Sequence, residues 1–151
     1  MKAETFADLI KWNSGVHDML ADRMQKAAEL NGDERAKGLL TYVADHERML
    51  ADTVRKFGGR ADEKALNTWL YEHVSEDLPP RDDRKLNFDD WDYERISEEV
   101  FDVHNQIIDL YFSMVERAAI PEAKDVMQEL YDLHKHETLR LADQVNSGRS
   151  L

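Results

Sequence analysis

The chain has 151 residues, 42% hydrophobic and 34% charged, a composition typical of one globular domain. Its formal net charge of −12 disfavours a nucleic acid or an anionic membrane as a partner. It contains no cysteine, which excludes disulfides and thiolate metal ligands. Because no stretch approaches the length of a transmembrane helix and no apolar signal segment opens the chain, we expect a cytoplasmic protein.

The first part of the chain is predicted to form a helical hairpin. Apolar residues recur at steps of three and four over residues 5–31, which is the spacing of one face of an α-helix. The segment Asn31-Gly32-Asp33 interrupts the pattern, and we expect the glycine to end the helix in a left-handed conformation. A second helix is predicted over residues 34–57, with Gly58-Gly59 ending it.

Residues 60–89 are predicted to form a long crossover. A short helix is expected near its start, in the stretch from Asp62 to Val74, and a polar segment with two prolines follows. A link of about thirty residues is unusual inside a compact helical domain, so we expect it to carry the chain from one end of a bundle to the other. Trp69 lies within this crossover and Trp91 follows it, and both are candidates for a homodimer interface on the crossover side.

The rest of the chain is predicted to form a second helical hairpin. Its helices are expected over residues 90–119 and 121–146, with Pro121 at the first position of the latter. Residues 147–151 are expected to be a frayed tail. Two hairpins joined by a long crossover predict an all-α antiparallel four-helix bundle that forms a single domain over residues 1–151.

Four polar side chains interrupt the apolar stripes of these helices. Glu47 and Glu137 follow histidines in two related stretches, which both end in Leu-Ala-Asp-x-Val, with the second shifted by one residue. A carboxylate on an apolar face is costly unless it is paired, protonated or bound to a metal ion. His17 and His104 lie on the stripes of the first and third long helices.

The positions of these residues relative to the hairpin turns predict which of them meet. Residues equally distant from a turn lie at the same level, so we expect His17 to face Glu47 and His104 to face Glu137. Both pairs would then lie near the middle of the bundle. Imidazole and carboxylate ligands suit iron, manganese or zinc. Two hydrogen-bonded pairs without metal are the alternative interpretation.

Three further histidines, His46, His134 and His136, flank the stripes. We assign them to the helix boundaries or the surface, while His46 and His134 are alternatives for completing a metal site. The sequence contains no nucleophile–base–orienter set, phosphate-binding loop or zinc-finger spacing.

In these features the chain resembles the ferritin-like superfamily, the rubrerythrin and bacterioferritin type of bundle. The resemblance covers residues 5–146 and includes the long crossover between the second and third helices. It implies a site for two metal ions, with a glutamate on the first and third helices and Glu-x-x-His on the second and fourth.

Carried onto this chain, the resemblance matches Glu47 and Glu137 to the glutamates of the second and fourth helices. Histidines stand in place of the other two glutamates, and Leu50 and Arg140 stand in place of the two family histidines. Neither Glu-x-x-His motif is therefore kept.

Two hypotheses for the function follow. The first is a ferritin-like protein that binds one or two transition-metal ions, for metal handling or stress-linked redox protection. Its ligands would be His17, Glu47, His104 and Glu137. The second is a metal-free ferritin-like interaction or regulatory module, which the loss of both Glu-x-x-His motifs favours.

Overall fold

The computed structural model of the protein describes residues 4–69 and 88–149. The helices are α1 (Phe6–Leu30), α2 (Glu34–Arg60), the short α3 (Glu63–Leu66), α4 (Tyr93–Arg117) and α5 (Pro121–Arg149). Helix α1 packs along α2, and α4 packs along α5, as the two predicted hairpins require. The predicted all-α four-helix bundle is confirmed, as is a short helix after α2. In the described part of the chain, no helix is both long enough and apolar enough to cross a membrane.

A capping box fixes the beginning of α1. The Thr5 hydroxyl accepts a hydrogen bond from the backbone N–H of Asp8 at 3.3 Å, and the Asp8 carboxylate accepts one from the backbone N–H of Thr5 at 3.2 Å. The backbone N–H of Phe6 donates to the carbonyl of Thr68 at 2.9 Å. The described start of the crossover is therefore held against the first turn of α1.

The side chain of Asn31 organises the turn between α1 and α2. Its Oδ1 accepts from the backbone N–H of Asp33 at 2.9 Å, while its Nδ2 donates to the carbonyl oxygens of Trp91 at 2.9 Å and Phe88 at 3.2 Å. Gly32 does not adopt the left-handed conformation that we expected. The hydrogen bonds of the buried Asn31 amide stabilise this turn instead. They also connect the first hairpin to the segment before α4.

Several helix ends differ from the sequence prediction. Helix α2 continues through Gly58-Gly59 to Arg60, and Gly58 lies inside the helix where α2 approaches Ile10 of α1. Helix α4 begins at Tyr93 with Asp92 as its N-cap. Helix α5 extends to Arg149, three residues beyond its predicted end. The predicted helical residues 70–74 and the last two residues of the predicted tail lie outside the described residues.

The bundle core is apolar at both ends and polar in a layer between them. Leucine, isoleucine, valine and methionine side chains from all four long helices fill most of the interior. The innermost side chains of this polar layer are at most 2% exposed and include Asn13, His17, Glu47, His104 and His134. Buried polar groups need partners in a core of this kind, so this layer is the place to look for a site.

Two helical glycines are expected to respond oppositely to alanine. Gly15→Ala should raise the free energy of unfolding by roughly 1 kcal/mol, because glycine is a poor helix former and the added Cβ would meet no atom within 4 Å beyond the adjacent residues and backbone of its own helix. Gly58→Ala should lower it, because the new Cβ would lie 2.9 Å from Cγ2 of Ile10. Chemical denaturation of both variants measures the difference, and effects of the same sign would contradict the packing described for Gly58.

The capping box is expected to contribute measurably to stability. Thr5→Ala should reduce the free energy of unfolding by about 1 kcal/mol, because the N–H of Asp8 loses its acceptor. Thr41→Ala is the matched control, since Thr41 is exposed inside α2 and its hydroxyl donates to the carbonyl of Lys37 in the same helix. Equal losses in the two variants in urea denaturation would show that the cap has no special role.

Candidate metal centre

The carboxylate of Glu47 lies at the centre of the polar layer. It is fully buried, and it accepts a hydrogen bond from Nδ1 of His17 at one oxygen and from Nε2 of His104 at the other. Burial alone would raise the pKa of Glu47, but the charges and hydrogen bonds of the two imidazoles outweigh burial and hold that pKa well below its usual range. Glu47 is therefore an ionised carboxylate in a site without solvent contact.

The ligand atoms of His17, Glu47 and His104 lie close enough together to hold a metal ion. One ligand atom from each of the three side chains lies within 4.8 Å of the others, and all three side chains are buried. They come from α1, α2 and α4, so the group joins both hairpins. The predicted contact between His17 and Glu47 is formed, and His104 reaches the same carboxylate from the second hairpin.

The prediction that His104 faces Glu137 is wrong. Nδ1 of His104 lies 3.1 Å from the hydroxyl of Thr138. The carboxylate of Glu137 instead accepts a hydrogen bond from Nε2 of His46 at 3.2 Å and one from Arg140 at 3.1 Å. Glu137 is thus near the centre but outside the group that surrounds Glu47.

The one-residue shift between the two related stretches explains this correction. When the Leu-Ala-Asp-x-Val segments are aligned, Thr138 is the counterpart of Glu47, and His134 is the counterpart of Val43. Adjacent residues differ by roughly 100° around a helix axis, so Glu137 points away from the position that Thr138 occupies. The symmetry about the turn identified the level of Glu137 along α5 but not its face.

His134 is a central residue that the sequence prediction assigned to the boundary. It is 2% exposed, its Nε2 lies 3.1 Å from Nε2 of His17, and the two rings are stacked with centroids 5.2 Å apart. Its Nδ1 donates to the carbonyl of Leu130 at 2.8 Å. Burial, together with the positive charge of His17, lowers the pKa of His134 to about 3. The aligned segments carried the signal that places it inside.

His46 forms an outer part of the polar layer. Its ring lies parallel to that of His104, with centroids 6.2 Å apart, and its Nε2 bonds to Glu137. Its Nδ1 is buried and has no hydrogen-bond partner among the described residues. Burial lowers the pKa of His46, although the carboxylate of Glu47 opposes that shift.

A tyrosine–asparagine pair completes the polar layer on the side of His134. The hydroxyl of Tyr111 donates to Oδ1 of Asn13 at 2.7 Å, and the Tyr111 ring lies 5.1 Å from the His134 ring. Burial raises the pKa of Tyr111 above its usual range, which keeps the phenol neutral and able to donate. Nδ2 of Asn13 is buried and has no partner among the described residues.

This arrangement fits a transition-metal ion. Imidazole nitrogen and carboxylate oxygen are ligands that iron, manganese and zinc accept in proteins. The surrounding core is apolar, which strengthens the interaction between an ion and the carboxylate. The group around Glu47 therefore has both the ligand types and the proximity that a metal centre requires.

Comparison with known proteins identifies the fold. No protein-family profile matches the chain. No curated protein sequence matches it either. A solved structure of a "putative ferritin-like diiron-carboxylate protein" from Thermotoga maritima is similar, with a TM-score of 0.61 and 17% sequence identity over 97% of this chain and 95% of that chain. The long helices, the two hairpins and this similarity together show that the chain has the ferritin-like fold.

Proposed function

We propose that the protein binds a transition-metal ion in its core through His17, Glu47 and His104. The observation that supports this most is the meeting of one carboxylate and two imidazoles from three helices inside an apolar core. A structural role alone does not require such a group, because a buried ion pair is often no more stabilising than well-packed apolar side chains. The name of the Thermotoga protein, which refers to a diiron-carboxylate centre, supports a metal site on this fold.

Each residue has a distinct part in this proposal. Glu47 supplies the negative charge, and His17 and His104 supply nitrogen ligands after losing the protons that they now share with Glu47. Glu137 was predicted as a further ligand. We propose that it orients His46 against the ring of His104 and does not bind the ion at Glu47.

The biological role proposed for this centre is metal handling or stress-linked redox protection in the cytoplasm. Bound iron or manganese would supply redox chemistry, and bound zinc would supply charge without redox change. The polar layer adds a neutral tyrosine, Tyr111, beside His134. The side chains of His17, Glu47 and His104 are buried. Loading of an ion into the centre therefore requires the helices to separate locally.

A metal-free interaction or regulatory module is the second candidate. Two observations favour it. Both oxygens of Glu47 already accept hydrogen bonds from imidazoles, and a buried Leu50 and a largely exposed Arg140 occupy the family's histidine positions. The two candidates differ in one measurable property, which is whether the folded protein is stabilised by a metal ion.

Metal ions are expected to raise the melting temperature of protein stripped with a chelator. At an ion concentration about 100 times Kd, binding to the folded state adds about 2.7 kcal/mol of stability. Differential scanning calorimetry with Fe(II) without oxygen, Mn(II) and Zn(II) measures this gain. Glu47→Gln should abolish the metal-dependent part, because the amide removes the only carboxylate of the group.

Glu137→Gln is the matched control, since it removes a neighbouring buried carboxylate that lies outside the group. It should keep the metal-dependent gain. The melting temperature of metal-free Glu47→Gln shows independently whether that variant folds. No gain in the wild-type protein with any of the three ions would refute the metal proposal and leave the metal-free module.

We also propose a homodimer through the crossover side. Trp69 is 63% exposed, whereas Trp91 is partly buried and packs against Phe88 and Arg95. Trp69→Ser should therefore weaken self-association more than Phe112→Ser, which removes an exposed aromatic side chain from a different place, on α4. Sedimentation velocity over a range of concentrations measures this, and a wild-type monomer throughout that range would contradict the dimer.

A further inference from the structure

A cavity of about 280 Å³ lies at one end of the bundle, where the beginnings of α2 and α4 meet the end of α5. Leu39, Tyr93 and Val145 are buried side chains of its lining, and Tyr42, which is 44% exposed, lies nearer the solvent. Leu39 precedes Glu47 by roughly 12 Å along α2, so the cavity is separate from the polar layer. Sites for small molecules usually measure roughly 300–1,000 Å³, so this cavity suits a ligand at the small end of that range.

The lack of a side chain at Gly38 keeps this cavity open. Gly38 lies inside α2, where glycine is a poor helix former. An added Cβ would meet no atom within 4 Å beyond the adjacent residues and the backbone of its own helix, so no close neighbour requires the glycine. Arg35, Gly38 and Tyr42 follow one another on the face of α2 that lines the cavity. A larger side chain at residue 38 would therefore extend into the space.

Arg35 places a positive charge at the cavity in a fixed orientation. Its guanidinium lies over the ring of Tyr93, 4.6 Å from the centroid, and Nη2 donates to the carbonyl oxygen of Gly148 at 3.2 Å. The hydroxyl of Tyr93 is held in turn by the carbonyl of Val145 at 2.7 Å. Within residues 4–69 and 88–149, no carboxylate pairs with this guanidinium. Its remaining N–H groups form a planar fork that suits the carboxylate of a ligand.

Glu34 adds a negative charge to the same cavity. It lines the cavity beside Arg35, and its exposed carboxylate has neither a hydrogen bond nor an ion pair with the described residues. A ligand with only a carboxylate would be repelled by Glu34, and a ligand with only an ammonium group would be repelled by Arg35. A ligand that carries both groups beside an apolar side chain is complementary to both charges and to the apolar wall.

We propose that this cavity binds a free α-amino acid with an apolar side chain, such as phenylalanine or leucine. The ligand's carboxylate binds Arg35, and its ammonium group binds Glu34. Its side chain packs against Leu39, Tyr42 and Val145. This site goes beyond the proposed metal centre and does not depend on it. Because the cavity is lined by α2 of the first hairpin and by α4 and α5 of the second, a bound ligand holds the two hairpins together at this end.

Titration of the full chain with phenylalanine tests the ligand class. In two-dimensional ¹H–¹⁵N NMR spectra, the amide signals of Gly38 and Gly148 should shift and reach saturation, and the melting temperature should rise. 3-Phenylpropionate lacks the ammonium group, and phenethylamine lacks the carboxylate. Each should bind at least ~5-fold more weakly, because it loses one ion pair. Equal affinity for phenylalanine and either analogue overturns the assignment of an amino acid.

Gly38→Leu tests the place of binding. It fills the cavity and replaces a poor helix former with a good one, so the variant should fold and lose the phenylalanine-dependent shifts. Gly15→Leu is the matched control, since Gly15 is also an exposed helical glycine with open space around its Cβ, but it lies on α1 away from the cavity. It should bind phenylalanine as the wild-type protein does.

Arg35→Gln is the second variant and should weaken binding of phenylalanine by at least ~5-fold, because the amide cannot pair with the carboxylate. Circular dichroism verifies that each variant folds. Unchanged affinity in both Gly38→Leu and Arg35→Gln overturns the site, and so does the absence of saturable shifts in the wild-type protein with phenylalanine and with leucine. Neither result affects the metal proposal, which is tested with metal ions alone.

Discussion

The hydrogen-bonded carboxylate of Glu47 is the constraint on which the middle of the bundle depends. Removing one imidazole partner would leave a buried charge only partly compensated, and breaking a buried pair in this way typically costs about 3–5 kcal/mol. His17 and His104 must therefore stay at the level of Glu47, although they lie on different helices. Apolar stripes of leucine and valine tolerate sliding of one helix along another, but this carboxylate does not. The polar layer thus fixes how the two hairpins are aligned.

The two hairpins are related in sequence but not equivalent in charge. The first contributes Glu47 to the centre, and the second contributes the uncharged Thr138 at the corresponding place. Only one buried carboxylate must then be compensated by His17 and His104. The carboxylate of Glu137, one residue earlier, lies at the edge of the layer, where the largely exposed Arg140 reaches it. This asymmetry lets an acidic protein keep a single negative charge at the innermost point of its core.

The sequence predicted the helices well because their apolar stripes are long and regular. It also predicted the contact between His17 and Glu47, because symmetry about the turn and the face of the helix agree for that pair. For Glu137 the symmetry about the turn and the face of the helix disagree. The apolar stripe that contains Leu141 and Val145 places Thr138 inside, and packing of the stripe decided the outcome. The same stripe also places His134 inside, although the sequence analysis assigned it to the boundary.

Other features were beyond sequence reasoning because they depend on tertiary contacts. The pair Gly58-Gly59 was predicted to end α2, yet α2 continues to Arg60, and at Gly58 Ile10 from α1 occupies the space where a side chain would be. Nothing local distinguishes a glycine that ends a helix from one that admits a neighbour. The role of Asn31 likewise depends on the carbonyl oxygens of Phe88 and Trp91, which are distant in sequence.

The centre combines two imidazoles with one carboxylate, and this composition affects which charge of ion it favours. A site with several carboxylates stabilises a trivalent ion more than a divalent one, because the attraction grows with the charge of the ion. Within the polar layer Glu47 supplies the one innermost carboxylate, and the other two members of its group, His17 and His104, are histidines. Such a set favours an ion that remains divalent over one that cycles to a higher charge. For the metal centre proposed for this chain, the ligand set of one carboxylate and two imidazoles therefore favours a divalent ion held between the two hairpins.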